Sequence, residues 1–553
     1  MLGGSLGHAA TRRACLVLDP SRFALAAGHP VAAAEGVRVL EAGGSAADAA
    51  VAVAFVQGVV DPAKCGIGGW GVATAYEAST GRLTAIDFPG RAGALVTADM
   101  WLGALLEPAY HGYLPRLRDA VNDVGYRAIA VPGTVAGYHE LHRSGGSGRF
   151  SWGELLAPAI RYAREGVAVE SGVLGAGQPE WDWPGAVGFA DRLATTSAAA
   201  AAYLPGGRFL RVGEVLRQPA LAATLETLAT DGPAAFYTGR LAARIAADFR
   251  AAGADITADD LAAYRPSVRD ALEGVHAGTR IGVPWPPESG VSLFALLHRL
   301  DGRLDRSAAL LEEPNLGALV EALEVIAAER AGGLGDPGFV EGSVDTLGRE
   351  SGHTTSVVVV DGAGNAVAMN HSLASHGGSG VMTDGLGFLY NNCMAGFDVE
   401  PSRPNSIAPG KARWSAACPA VAVDGLGDVR LAITGPGATR AIAAVAQGLL
   451  AHLDFGRSAA QIASATRIDA HDGIIDLEDG AGLELEAAAR RLGREIGRIH
   501  PSAAAALYLV TVGAGGRFDA AADPRRPGDS IARGRLNPRR RGRARMDEPE
   551  WPV

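Results

Sequence analysis

The run Thr354-Thr355-Ser356-Val357-Val358-Val359-Val360-Asp361 most constrains the fold, because so dense a β-branched run admits little but a strand. Gly362-Ala363-Gly364-Asn365 then turns the chain into a second apolar strand, Ala366 to Asn370. A threonine at the mouth of a strand is a candidate nucleophile when its own backbone amine serves as the base. That requires scission of the peptide bond before Thr354, since a hydroxyl is a weak nucleophile until a base takes its proton and a free α-amine titrates near neutrality. Taken alone, the string is equally an ordinary strand using threonine for its β-propensity. The rest of the chain decides between the two.

At 553 residues, with 48% hydrophobic residues, the chain is long enough for several domains or one large layered unit. Its 75 glycines have no fixed period, which excludes a fibrous design and implies many tight turns. A net charge of −10 argues against nucleic acid as a partner. The arginine-rich end, Arg533 to Arg545, reads as a solvated, disordered tail. Cys15, Cys65, Cys393 and Cys418 lack metal-ligand spacing and suit a reducing compartment. No secretory signal and no membrane-length apolar run is apparent, so a cytoplasmic protein without membrane association is expected.

His29 to Val60 reads as a long helix broken at Gly43-Gly44, with Asp48 placed on a solvated face. Gly66-Ile67-Gly68-Gly69-Trp70-Gly71 enters a strand over Val72 to Tyr76, with Leu83 to Phe88 as its hairpin partner. No Lys-Ser/Thr follows these glycines and no helix opens, so nucleotide binding is rejected. Helical periodicity marks Trp152 to Glu165, Gln218 to Thr230, Gly239 to Ala252 and Ala308 to Arg330, and Thr257 is an N-cap. Beyond Thr354 strands dominate: Ala420 to Val423, Val429 to Thr434, Ala505 to Val512 and Arg517 to Ala522, with a helix from Thr439 to Leu453. A helical first part and a strand-rich second part suggest one composite domain with sheets between helix layers.

Several motifs in shared order give the chain its resemblance. They include Gly28-His29-Pro30, Ala42 to Ala50, Cys65 to Gly69, Val131-Pro132-Gly133, Asp260 to Tyr264 and Pro286 to Gly290. Thr354-Thr355, Asp361 to Ala368, Asn391-Asn392, Gly435-Pro436-Gly437 and Ala522 to Arg526 continue the series. Over Gly28 to Arg526 the chain resembles the gamma-glutamyltranspeptidase family of N-terminal-nucleophile hydrolases. The resemblance implies an α+β, four-layer αββα fold built jointly by a large segment, 28–353, and a small one, 354–532. Residues 1–27 are then an N-terminal extension and 533–553 the tail.

It also implies self-cleavage between His353 and Thr354, giving a heterodimer of the chain's own fragments. The Thr354 hydroxyl would attack a small-molecule amide and form an acyl-enzyme, resolved by water or an acceptor amine. Ser372 holds the second hydroxyl position, and the backbone amides of Gly437 and Ala438 hold the oxyanion. Asn392 and Ser415 fall at substrate-binding positions, and Arg91 and Arg440 are carboxylate-binding candidates, as is Arg413. No metal or other cofactor is expected.

The departures lie in the glutamate clamp. The family's Arg, Asn, Gln and Asp positions fall on Pro89, Ala374, Cys393 and Gly396, and Ala416 replaces one serine of a pair. Leaving a ligand charge unpaired costs roughly 3–5 kcal/mol, so poor use of glutathione is expected. Oxamate-type or other acyl amides are the alternative substrates, and an uncleaved homologue with a binding role is the alternative to catalysis. His371 and His376 lack an acidic or metal partner and are read as pocket lining. The stretch Asp336 to His353 is short for the family, and Ser356 stands where histidine is common. Val357, Val359, Val367, Leu389, Ile433 and Leu449 are the expected core.

Overall fold

The computed structural model describes residues 21–107, 114–170, 187–331, 335–339, 354–513 and 515–536. The first twenty residues with Cys15, His353 with most of the stretch before it, and the basic end from 537 lie outside them. Among the described residues, one sheet has seven strands. Their order is Asp529–Arg533, Phe23–Ala27, Thr354–Val360, Ala366–Ser372, Trp70–Glu77, Arg82–Phe88, Ser267–Asp270. A second has six, in the order Phe518–Ala522, Tyr508–Val512, Val429–Thr434, Ala420–Val423, Thr279–Val283, Leu272–His276. Within both sheets neighbouring strands are antiparallel.

Alternation along the strands builds the four layers. Val357, Val359, Val367 and Met369 pack against Ala46–Val60 and the helices around it. Val358, Val360, Ala366 and Ala368 face the other way, meeting Val421, Val423, Ala432 and Val510 of the second sheet. Leu431 and Ile433 turn outward to the helices Gly290–Leu300, Asn315–Ala331 and Arg440–Leu453. A strand buried on both faces needs no polar alternation, which explains the unbroken valine run. Each residue of the expected core is buried.

Ala46–Val60 is small and apolar on every side, and it is buried on every side too. Asp48 is therefore not on a solvated face. It is wholly buried as part of a capping box with Ser45 and also bonds His142 and Ser147. Asparagine-driven loop packing displaces another boundary: the helix expected from Ala308 begins at Asn315. Before it, the Asn315 side-chain amide donates to the carbonyls of Asp305 and Ala309. Pro314 also disfavours helix at the preceding residue.

Two segment boundaries move. Phe23–Ala27 is no extension but a strand between Thr354–Val360 and Asp529–Arg533. The tail likewise begins later than Arg533, which pairs with Phe23 and bonds Glu41. Five apolar residues with no turn signal carry too little pattern to announce a strand. The first segment is mainly helical, as expected, and it also supplies four described strands to the first sheet and two to the second. No helix among the described residues is long and apolar enough to cross a membrane.

Candidate active site

Register places the hydroxyls. Thr354 is paired with Ser372, and Ser372 with Trp70, so the three form one row across adjacent strands. Alternation from Val358 and Val360 puts Thr354 and Ser356 on the face turned to the second sheet. Ser356 lies opposite Asn370, whose amide donates to the Ser356 hydroxyl at 3.1 Å. The Thr434 hydroxyl, at the end of a strand in the second sheet, donates to the Asn370 carbonyl oxygen. This bridge ties the two sheets together beside the candidate nucleophile. Thr354 itself is 8% exposed, and the Ser372 hydroxyl accepts from the Ala374 amide at 2.9 Å.

The turn Gly435-Pro436-Gly437-Ala438 follows Thr434 directly and leads into the helix Arg440–Leu453. A Cβ at Gly437 would lie 2.3 Å from the Ala505 Cβ, so only glycine fits that close approach. Ala438 holds φ at +54°, in the left-handed region where glycine is at ease. Neither amide donates to another described residue, and each is available to an oxyanion.

Thr355 faces the opposite layer. Its hydroxyl accepts from the Gln57 amide at 3.3 Å, and that amide also donates to the Ser356 carbonyl at 3.1 Å. The Gln57 carbonyl oxygen is 2.7 Å from His371 Nε2, while Tyr138 Oη is 2.5 Å from His371 Nδ1. Burial pushes the His371 pKa down to about 3, so the ring is neutral, Nε2 donating to Gln57 and Nδ1 accepting from Tyr138. His371 is on the wrong face of the sheet to serve Thr354, and it is a core residue rather than pocket lining. His376 packs edge-on against Phe189, with ring centroids 4.2 Å apart. Behind the candidate nucleophile, half-buried Arg526 donates to the Thr354 carbonyl at 3.5 Å.

Two of the clamp positions share one wall. Ala374 and Cys393 pack with Trp70 in a cluster that includes Met394, Phe397 and Ala417. Four expected binding residues have other partners. Asn392 accepts from the Ser375 amide and donates to Asp123 and the Ser375 hydroxyl; its side chain is consumed holding two loops together. Asn391 does the same between Gly68 and Ala130. Arg91 donates to Asp336 and the Gly410 carbonyl. Arg440 turns to Asp476 at 3.3 Å, and the Ser415 hydroxyl accepts from the Ala417 amide. The catalytic candidates Thr354 and Ser372 are brought together; the binding set is not. Asp87, in register with Val72 and through it with Asn370, was not foreseen; burial raises its pKa to about 7 against the opposing pull of Arg91 and Arg269.

The profile of the family described as Gamma-glutamyltranspeptidase matches residues 32–349 and 347–533. The Acylase ACY 1 proenzyme of Pseudomonas sp. (strain V22) is 32% identical over 540 residues, covering 93% of this chain and 94% of that relative. The Glutathione hydrolase proenzyme of Escherichia coli (strain K12) is 28% identical over 549 residues, covering 90% and 89%. The crystal structure of cephalosporin acylase from Bacillus halodurans has a TM-score of 0.81 at 24% identity, over 93% of this chain and 96% of that one, which confirms the fold.

Proposed function

Since the chain belongs to the gamma-glutamyltranspeptidase family and is an amidohydrolase or acyltransferase of the N-terminal-nucleophile type, we propose that Thr354 performs both its maturation and its turnover. In maturation the Thr354 hydroxyl attacks the His353 carbonyl, the amide becomes an ester, and water releases a His353 carboxylate and a free Thr354 α-amine. That amine then takes the hydroxyl proton as the oxygen attacks a small amide. The tetrahedral oxyanion is held by the Gly437 and Ala438 amides, the leaving amine takes the proton, and water or an acceptor amine resolves the acyl-enzyme.

The observation that carries this reading is the placement of the Thr354 hydroxyl. It stands at a strand mouth, opposite Ser372, on the face turned to the second sheet from which the Gly437-Ala438 turn emerges. The uncharged side chains at Ala374 and Cys393 favour an acyl amide other than glutathione. N-terminal sequencing of purified protein tests it. A second start at Thr354, lost together with amidase activity in Thr354→Ala, is expected; a single intact chain that cleaves amides would refute it.

A further inference from the structure

Where the two sheets face each other the interior is apolar, with Val358, Ala368, Val421, Ala432 and Val510 in contact. A chain of polar side chains crosses it beside the candidate nucleophile. Ser356, Asn370 and Thr434 are each at most 1% exposed. The Asn370 amide donates to the Ser356 hydroxyl at 3.1 Å, and its carbonyl oxygen accepts from the Thr434 hydroxyl. Ser356 and Asn370 are partners in register, as are Thr354 and Ser372 two residues along. The crossing therefore stands about 7 Å from the reacting row, on the same face. At its other end, Thr434 is the last residue before Gly435-Pro436-Gly437-Ala438. The far flank of that turn is pinned separately, where the Ala506 amide donates to the Pro436 carbonyl at 3.0 Å.

We propose that Asn370 is a positioning residue that holds the oxyanion turn of one sheet against the nucleophile of the other. The proposal rests on Thr354 being the nucleophile and on the Gly437 and Ala438 amides holding the oxyanion. Attacking oxygen and oxyanion donors then belong to different sheets, so the seating of one sheet on the other decides whether they meet. Donors stabilise an oxyanion only within about 2.7–3.1 Å of it. Apolar contacts are non-directional and fix such a spacing poorly. Buried hydrogen bonds add little net stability, because each replaces one to water, but a fully satisfied chain of them fixes a geometry. Asn370 reaches the strand that carries Thr354 through Ser356 and the strand that carries the turn through Thr434. Because the oxyanion exists only in the transition state, the residue acts on kcat and leaves ground-state binding alone.

Pentanoyl p-nitroanilide and 1-butaneboronic acid test this on full, matured protein whose scission is verified by mass. The boronic acid mimics the pentanoyl group in its tetrahedral state. The Thr354 oxygen bonds the trigonal boron, its proton passes to the α-amine, and the resulting anion keeps both boron hydroxyls, one of them at the oxyanion turn. Thr434→Val keeps the branched shape and removes the hydroxyl. It is expected to lower kcat about ten- to hundred-fold with KM within about twofold, and to raise the boronic acid's inhibition constant by a similar factor. Asn370→Ala gives a comparable loss, the double variant loses no more than the worse single, and Thr434→Ser recovers the wild-type kcat within about threefold. Tyr76→Phe removes another bond between the sheets, to the Gly427 carbonyl at 2.7 Å and six residues along the strands from the reacting row. It lowers the melting temperature and leaves kcat unchanged. A kcat in Thr434→Val within twofold of the wild type overturns the proposal. So does a loss carried by KM, additive losses in the double variant, or boronic acid affinity that holds while kcat falls. Failure of the amidase reading shows elsewhere, in a wild type inert to both probes or a Thr354→Ala that binds the boronic acid equally tightly, and the proposal falls with it.

Discussion

Replacing Arg526 with glutamine is expected to move the acid limb of the kcat/KM profile upward. Arg526 is half-buried behind the proposed nucleophile, facing Tyr508, Asp523 and Asp61, and reaches the Thr354 carbonyl oxygen at 3.5 Å. The amine and carbonyl oxygen of one residue are about 3 Å apart, which puts the guanidinium about 6 Å from the α-amine after cleavage. Unit charges at that distance interact by about 3 kcal/mol at an effective dielectric constant of 20, or about two pKa units. The carboxylates of Asp61 and Asp523 offset part of this, leaving a net effect of about one unit. A cation disfavours the ammonium form, so Arg526 lowers the amine pKa and enlarges the free-base fraction at neutral pH. Without it the limb shifts up by about one pH unit, with about tenfold lost at pH 6 and nearly full activity at pH 9. Arg526→Lys, which keeps the charge, holds the limb in place. The assay is initial rate from pH 5 to 10 on an uncharged acyl anilide, using protein whose scission is verified by mass. A stationary limb in Arg526→Gln, or the same loss at every pH, refutes the electrostatic role.

The oxyanion turn gives a contrasting pair. Gly437→Ala, whose Cβ meets Ala505 at 2.3 Å, should lower kcat by about 100- to 1,000-fold, whereas Ala438→Gly relieves a φ of +54°, raising stability by about 1 kcal/mol with activity kept; rates and denaturant melts check both. His371→Ala leaves the partners of Gln57 and Tyr138 unmet and should cost about 2–4 kcal/mol in a urea melt while the Thr354 scission persists on a denaturing gel. In the wild type, the neutral His371, with its folded pKa near 3, makes stability fall as pH drops from about 6.5 towards 3, because the unfolded chain binds the extra proton. Asp87 acts oppositely: a folded pKa near 7 means the native state holds the proton between about pH 4 and 7, so its contribution declines as pH rises through that window. Asp87→Asn should therefore raise the melting temperature more at pH 8 than at pH 5, measured by calorimetry.

What could be read along the chain was whatever depends on neighbours in sequence. The Thr354 hairpin, the capped helix start at Thr257 and the glycine turn after Thr434 are local patterns, and each forms as expected. Glycine markers whose purpose was hidden gain one: a Cβ at Gly28 would strike the Thr355 hydroxyl at 2.3 Å, and one at Gly69 the Ser372 carbonyl at 2.4 Å. Side-chain partners were less legible. Asn392 has the composition of a binding residue, but three hydrogen bonds to Ser375 and Asp123 exhaust it. Gln57 reaches Thr355, and Arg526 the candidate nucleophile Thr354, from positions far from them in sequence, and only the folded chain reveals them. The strands Leu272–His276 and Thr279–Val283 escaped because they are short, charged in part, and set among helices.

The same register explains why scission before Thr354 is compatible with a stable fold. Thr354–Val360 lies between Phe23–Ala27, which pairs from Val357 onward, and Ala366–Ser372, whose Ser372 pairs with Thr354 itself, so the strand is held by ladders that do not involve the residue before it. Each sheet also draws strands from both sides of the cut. Separating the fragments would expose the edges of both sheets and the Val358, Val360, Val421 and Val510 interface together. The cost of parting is thus spread over the whole sandwich, while the gain in chemistry is confined to one amine. Under the proposed mechanism, cleavage at this point would free a base at the strand mouth without loosening the hydroxyl it must serve.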